Sequence, residues 1–149
     1  AAKCIEPSED YIIPLGKARV VQRASKEVSC SIITYGRGVY WAMEASANFP
    51  GAIDIIDLRT LAPLDFQTVA ASIKRTNRCL VLTEEPVANS FAQALSGRVA
   101  QECFEDLDAA PEVLGSVELP AIPLNESMEQ EVLPDAKKVS AVVGTLLDY

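Results

Sequence analysis

The sequence predicts an α/β fold, a three-layer sandwich around a mostly parallel sheet of about five strands. Three observations predict it. Short β-branched runs alternate with segments of helical periodicity. Several of the helical segments open on a residue able to cap them. The chain has 149 residues, the length of one domain with room for a core on both faces of a sheet.

The elements follow in order. Residues 1–10 are a polar, poorly ordered lead, and residues 11–149 form the single domain. Ala18–Gln22 reads as a short strand and Val28–Tyr35 as a largely buried one, broken by Gly36-Arg37-Gly38. A helix from Val39 to Asn48 should bury Val39, Ala42, Met43 and Ala47 before Pro50-Gly51 ends it. Ala52–Asp57 is the next strand. Asp65 is then a cap for a helix carrying Phe66, Val69, Ala70 and Ile73, with Asn77 as its stop. Cys79–Thr83 is a third buried strand, closed by Glu84-Glu85-Pro86. Ser90 caps a helix whose inner face is Phe91, Ala94, Leu95 and Val99. Four prolines from Pro111 to Pro134 punctuate an acidic stretch with one strand candidate, Glu112–Leu114. Asp135 caps the last helix, striped by Val139, Val142, Val143 and Leu146.

Composition narrows the chemistry. The chain has no histidine, which removes imidazole acid–base catalysis, Ser-His and Cys-His nucleophiles and His-ligated zinc. Cys4, Cys30, Cys79 and Cys103 form no CxxC pair, and two lie in apolar runs, as buried reduced thiols do. The net charge is −8. Beyond Gln101, eleven acidic residues stand against Lys137 and Lys138 alone. Such a surface repels nucleic acid and attracts basic partners. No run is long and apolar enough for a membrane span. The first residue is alanine, as in a piece of a longer chain.

The motifs are weaker than the pattern. Gly36-Arg37-Gly38 follows a strand and opens a helix, but the third glycine of a dinucleotide loop falls at Trp41, too bulky for close strand–helix approach. Arg59 could clamp an anion; the reading preferred here is an ion pair with Asp57, Asp65 or Glu84 that pins its loop. Glu84 and Glu85 are adjacent in extended chain and point opposite ways. Glu126, Glu129 and Glu131 read as a solvated face.

The segments Tyr11–Ala18, Ser31–Gly36, Ile55–Asp65, Ser72–Arg78, Leu107–Pro111 and Met128–Pro134, in this order, resemble one family. It is the transketolase C-terminal-like domain in the beta subunit of thiamine-diphosphate-dependent 2-oxo acid dehydrogenases, separate or fused to alpha. The resemblance covers Tyr11 to Tyr149 and is most specific over Asp57–Asp65, while Asp57-Leu58-Arg59-Thr60-Leu61 and Leu107-Asp108-Ala109-Ala110-Pro111 are more similar to the dehydrogenase branch than to its relatives. Two departures stand out. The turn Ala24–Glu27 lacks an expected glycine, and Ala88-Asn89-Ser90-Phe91-Ala92 replaces a glycine-rich segment where a subunit contact is made.

The resemblance implies a non-catalytic assembly and partner-binding domain with no catalytic, cofactor-binding or metal-binding residue of its own. The complete enzyme would decarboxylate a 2-oxo acid on thiamine diphosphate and magnesium and pass the acyl group to lipoamide. Implied partners are the remaining dehydrogenase domains or alpha subunit, a second beta subunit, and the subunit-binding domain of a lipoyl acyltransferase. Phe91, Asp148 and the carboxylate of Tyr149 are the partner-binding candidates. The compartment would be a bacterial cytoplasm, or the mitochondrial matrix in a eukaryote. Two alternatives stay open. One is the same domain in a transketolase or deoxyxylulose-phosphate synthase relative. The other is a stand-alone module binding a small anion near Gly36, Arg59 and Thr83.

Overall fold

A computed structural model describes residues 8, 10–121 and 123–149, so most of the predicted lead lies outside the described residues. Five strands, β1 (Arg19–Gln22), β2 (Cys30–Thr34), β3 (Ile53–Asp57), β4 (Cys79–Pro86) and β5 (Glu112–Ser116), form one sheet in the order β1-β3-β2-β4-β5. All pairings are parallel except that of β1, which runs antiparallel to β3 with Arg19 opposite Asp57. The helices are α1 (Gly38–Ser46), α2 (Phe66–Thr76), α3 (Phe91–Glu102), α4 (Glu126–Val132) and α5 (Ala136–Leu147).

Alternation along the strands divides the core in two. Cys30, Ile32, Ile53, Ile55, Leu80 and Leu82 face α1 and α5. Ile33, Ile56, Cys79 and Val81 face α2 and α3. A sheet covered on both sides needs nearly continuous apolar strands, which is why β2 through β4 are legible as such. The connection from β2 through α1 moves toward β3; that from β4 through α3 moves the opposite way, toward β5. Right-handed crossovers running in opposite directions place their helices on opposite faces. The winding therefore reverses between β2 and β4, and the crevice beyond their carboxyl ends is the topological switch point.

Local signals act as read. The side chains of Asp65, Ser90 and Asp135 accept from the backbone N–H of Thr68, Gln93 and Lys138 at 3.2, 3.0 and 2.7 Å. Asn77 ends α2 in the left-handed conformation, φ 58°.

Four details differ. The inner face of α1 is Trp41, Ala42, Ala45 and Ser46, while Met43 and Ala47 point to solvent. Burying the one tryptophan removes more apolar surface than burying Met43 would, and the Arg37 guanidinium covers its ring at 5.6 Å. In α3, Ala92 is buried and Ala94 is exposed. Strand β4 continues past Thr83 through an irregularity to Pro86, opposite Ser116, because β5 is itself longer than its apolar residues. The acidic stretch holds α4, started by Asn125 Oδ1, which accepts from Ser127 N–H at 3.0 Å. It is stopped by Lys138, whose Nζ donates to the carbonyls of Gln130, Glu131 and Leu133 at 3.0, 2.9 and 2.6 Å. Those carbonyls would otherwise lack partners at the helix end.

Candidate functional site

In sheets of this winding a ligand enters the switch-point crevice. Here the chain's own side chains fill it. The Tyr35 hydroxyl donates to Glu85 Oε1 at 2.7 Å and lies 2.8 Å from Thr83 Oγ1. Phe91 packs edge-on against the Tyr35 ring, centroids 5.9 Å apart. Burial pushes the Tyr35 hydroxyl up to about 12; the Thr83 bond opposes that rise and the Glu85 carboxylate adds to it. One step along, Thr34 Oγ1 donates to the Leu82 carbonyl at 2.9 Å, and α1 starts so close that a methyl on Gly38 would overlap that oxygen. The glycine turn therefore serves helix packing against β2 and does not frame a phosphate.

A second feature lies at the carboxyl ends of β2 and β3. A cleft of about 460 Å³ is lined by Arg19, Gly36, Asp57 and Arg59 together with apolar side chains. Arg59 has φ 58°, held by its N–H bond to Asp57 Oδ1 at 3.1 Å. The expected ion pair of Arg59 is not made. Among the described residues the ion pairs are Arg23–Asp54, Arg75–Asp54, Arg78–Asp108 and Arg98–Glu102. The loop is pinned by hydrogen bonds to backbone groups instead. Thr60 Oγ1 accepts from Gly16 N–H at 2.9 Å and donates to the Pro63 carbonyl at 3.0 Å. Asp65 Oδ2 accepts from Ala18 N–H at 3.0 Å. Burial raises the Asp65 carboxyl, but the bonds from Ala18 and Thr68 and the nearby Lys17 outweigh it and hold it below the usual carboxylate value. The Asp57–Asp65 block is thus a clip that fastens the N-terminal segment to the sheet. Gly36 and Arg59 share the cleft; Thr83 belongs to the other crevice, so the three candidates for a small-anion site are divided.

This layout has known counterparts. Residues 16–139 match the family described as transketolase, C-terminal domain. The chain belongs to that family. Its relatives include a 2-oxoisovalerate dehydrogenase subunit beta from Bacillus subtilis, 30% identical over 96% of this chain and 44% of the relative. An acetoin:2,6-dichlorophenolindophenol oxidoreductase subunit beta from Cupriavidus necator is 37% identical over 91% and 40%. A pyruvate dehydrogenase E1 component subunit beta from Rhizobium meliloti is 31% identical over 88% and 28%. The resemblance to the dehydrogenase beta-subunit branch is borne out, and the chain spans less than half of the length of each relative. A solved split gene transketolase, described as an inactive beta4 tetramer, shares the fold with a TM-score of 0.76 at 19% identity, over 95% of this chain and 45% of that one.

In this transketolase C-terminal domain the three partner candidates do not converge. Phe91 is half-buried at the start of α3, beside Leu61, Leu64 and Arg98 in a shallow depression. Tyr149, at the other end of the molecule's last helix, is exposed and lines a hollow of about 560 Å³ with Ala100, Phe104 and Pro111. Phe91 and Ala100 are nine residues apart on α3, about 13 Å along its axis. Asp148 is exposed next to Tyr149.

One residue escaped the sequence reading. Asp54 is fully buried in β3, where its carboxylate accepts from Ser72 Oγ at 2.7 Å, from Ala24 N–H at 2.6 Å and from Arg75 Nη2. Arg23 approaches to 3.5 Å. A charged residue inside Ala52-Ile53-Asp54-Ile55-Ile56 was the available signal, since a charge in a strand buried on both faces needs partners. Among the described residues no three His, Cys, Asp or Glu side chains gather as a metal site, and no helix is long and apolar enough to cross a membrane.

Proposed function

We propose that this chain is the carboxyl-terminal assembly domain of a 2-oxo acid dehydrogenase, in a separate or fused beta subunit, and that the chemistry is done by the rest of the protein. The observation that carries this reading is an asymmetry of coverage. Beta-subunit relatives account for 88–96% of this chain, and the chain for only 28–44% of them. The filled switch-point crevice supports it: the residues there do not fit a thiamine diphosphate, because the Tyr35 hydroxyl is engaged by Glu85, whose carboxylate would face the anionic phosphates, and Thr34 Oγ1 is bonded to the Leu82 carbonyl. The cofactor and its magnesium accordingly bind in the remainder, and no step of the reaction runs through these residues. The domain's own contribution is burial of apolar surface between subunits. Its acidic end, with Asp148 and Tyr149, offers a docking surface to a basic module such as the subunit-binding domain of a lipoyl acyltransferase. The location is the cytoplasm of a bacterium.

The test compares the full-length protein, with its co-purifying subunit, against the 1–149 chain. Each is given thiamine diphosphate, magnesium, an artificial electron acceptor and either a branched 2-oxo acid, pyruvate or a sugar phosphate. Turnover of a 2-oxo acid by the full assembly alone is expected. Turnover by the isolated chain, or of the sugar phosphate only, overturns the reading.

A further inference from the structure

A hollow of about 220 Å³ between the start of α1 and helix α4 carries both signs of charge. Its wall is apolar and buried: Trp41, Leu133 and Pro134. Arg37 stands on the α1 side, its guanidinium 5.6 Å from the centre of the Trp41 ring. Glu126 and Glu129 stand on the α4 side. Among the described residues none of these three charged groups is in an ion pair, with each other or elsewhere. Opposite charges therefore share one small space without meeting. Asp135, the remaining carboxylate of the lining, is engaged as the cap of α5 through Lys138 N–H. Trp41 is 8% exposed, and its indole N–H has no acceptor among the described residues. That N–H is not one of the sealed polar atoms, which are Arg78 Nε and Ser116 Oγ, so it opens on the hollow that the ring lines. Helix α1 has no side-chain cap and no acidic residue in its first turn, so its positive end lies uncompensated on the Arg37 side.

We infer that this hollow binds a free α-amino acid with an aliphatic side chain, an inference that goes beyond the assembly role and does not depend on it. The two donors on one side, the Arg37 guanidinium and the Trp41 N–H, call for a carboxylate. The two carboxylates on the other side call for an ammonium group. Trp41, Leu133 and Pro134 give an apolar side chain a wall to pack on. The volume lies below the roughly 300–1,000 Å³ of sites for larger ligands, so the occupant is small. An amine alone leaves Arg37 and the Trp41 N–H unmatched, and an acid alone faces Glu126 and Glu129. The larger share of each relative lies outside this chain, but a side chain reaching in from that remainder brings one sign of charge and leaves the other unmet. A zwitterion meets both at once, and in doing so it ties α4 to α1.

The test titrates the full-length protein, with any subunit that co-purifies, with L-valine. Saturable heat in calorimetry and slower amide exchange over Glu126–Val132, with one shared midpoint, are expected. The exchange readout keeps the site apart from any substrate pocket elsewhere in the protein. Arg37→Gln and Glu129→Gln should each raise the dissociation constant at least about tenfold, each removing a bond to a charged group. Lys74→Gln, on α2 across the sheet, leaves it unchanged. Two analogues separate the charges: 3-methylbutanoate lacks the ammonium group and 2-methylpropylamine lacks the carboxylate. Neither should slow exchange over α4 at concentrations that saturate valine. Protection of α4 by either analogue as strong as that by valine overturns the inference, and the hollow is then a site for a plain acid or amine. So does the absence of saturable valine protection, as when the remainder of the protein fills the hollow. Valine protection that survives either variant, in protein with native circular dichroism, overturns it too. Should a variant not fold, the two analogues on the wild-type protein decide by the same criterion.

Discussion

Replacing Asp54 by asparagine asks how much of the fold hangs on one buried carboxylate. The side chain is inaccessible to solvent and its partners are all donors: Ala24 N–H at 2.6 Å, Ser72 Oγ at 2.7 Å, Arg75 Nη2 at 2.6 Å, and Arg23 at 3.5 Å. These partners come from α2 and from the loop after β1, so the carboxylate ties three parts of the chain together. Asparagine keeps the volume but turns one acceptor into an NH₂ group aimed at donors. A hydrogen bond to a charged group contributes about 1.5–3 kcal/mol. Arg75 and Arg23 are about half exposed and can turn to water, which limits the loss to about 2–4 kcal/mol. Arg75→Gln should cost a comparable amount for the converse reason, since it strands a buried carboxylate. Arg23→Gln, at longer range and half exposed, should cost less than about 1 kcal/mol. Equilibrium urea unfolding followed by far-ultraviolet circular dichroism reads all three. At a slope of about 2 kcal/mol per molar, Asp54→Asn lowers the midpoint by about 1–2 M. An Asp54→Asn midpoint indistinguishable from wild type, or an Arg23 effect larger than that of Arg75, refutes the reasoning.

Gly38→Ala forces a methyl against Thr34 Oγ1, which cannot swing away without giving up its bond to Leu82; a loss of about 2–3 kcal/mol is expected in thermal unfolding. Tyr35 is the alkaline switch. Its hydroxyl is raised to about 12 in the fold, so the stability it contributes is whole below about pH 10, the unfolded value, and is lost as pH climbs through the folded value. A tyrosinate absorbance titration of wild type minus Tyr35→Phe should show a step near 12, and a step near 10 refutes the assignment. Lys138→Met deprives three carbonyls of their donor. Amide exchange should accelerate over Glu126–Leu133 while α5 stays protected, and uniform protection contradicts the capping role.

The parts of the fold legible in the sequence are those governed by neighbours in the chain. The β-branched runs of β2 and β3, the caps at Asp65, Ser90 and Asp135, and the stop at Asn77 each act through groups a few residues away, and each is found where the pattern put it. The family too was readable, because the Asp57–Asp65 wording is a local clip whose side chains bond at once to their own loop and to Gly16 and Ala18. Helix α4 was not readable. Its exposed glutamates carry no apolar stripe, and its last turn is completed by a lysine from the next helix.

Residue order alone therefore settled the strands and every α-helix but α4, that they form a mostly parallel α/β sandwich, and that no imidazole chemistry is available. Tertiary structure decided the rest. It chose the face of α1 by burying Trp41, gave Asp54 partners from α2 and the loop after β1, and closed the switch-point crevice with Tyr35 and Glu85 from different strands. It also left Arg19 and Arg59 together in one open cleft, though forty residues separate them. The physical reason is common to all four. Dihedral preference and capping act within one turn of chain, whereas desolvation and charge pairing depend on whichever groups the folded sheet brings within a few ångströms.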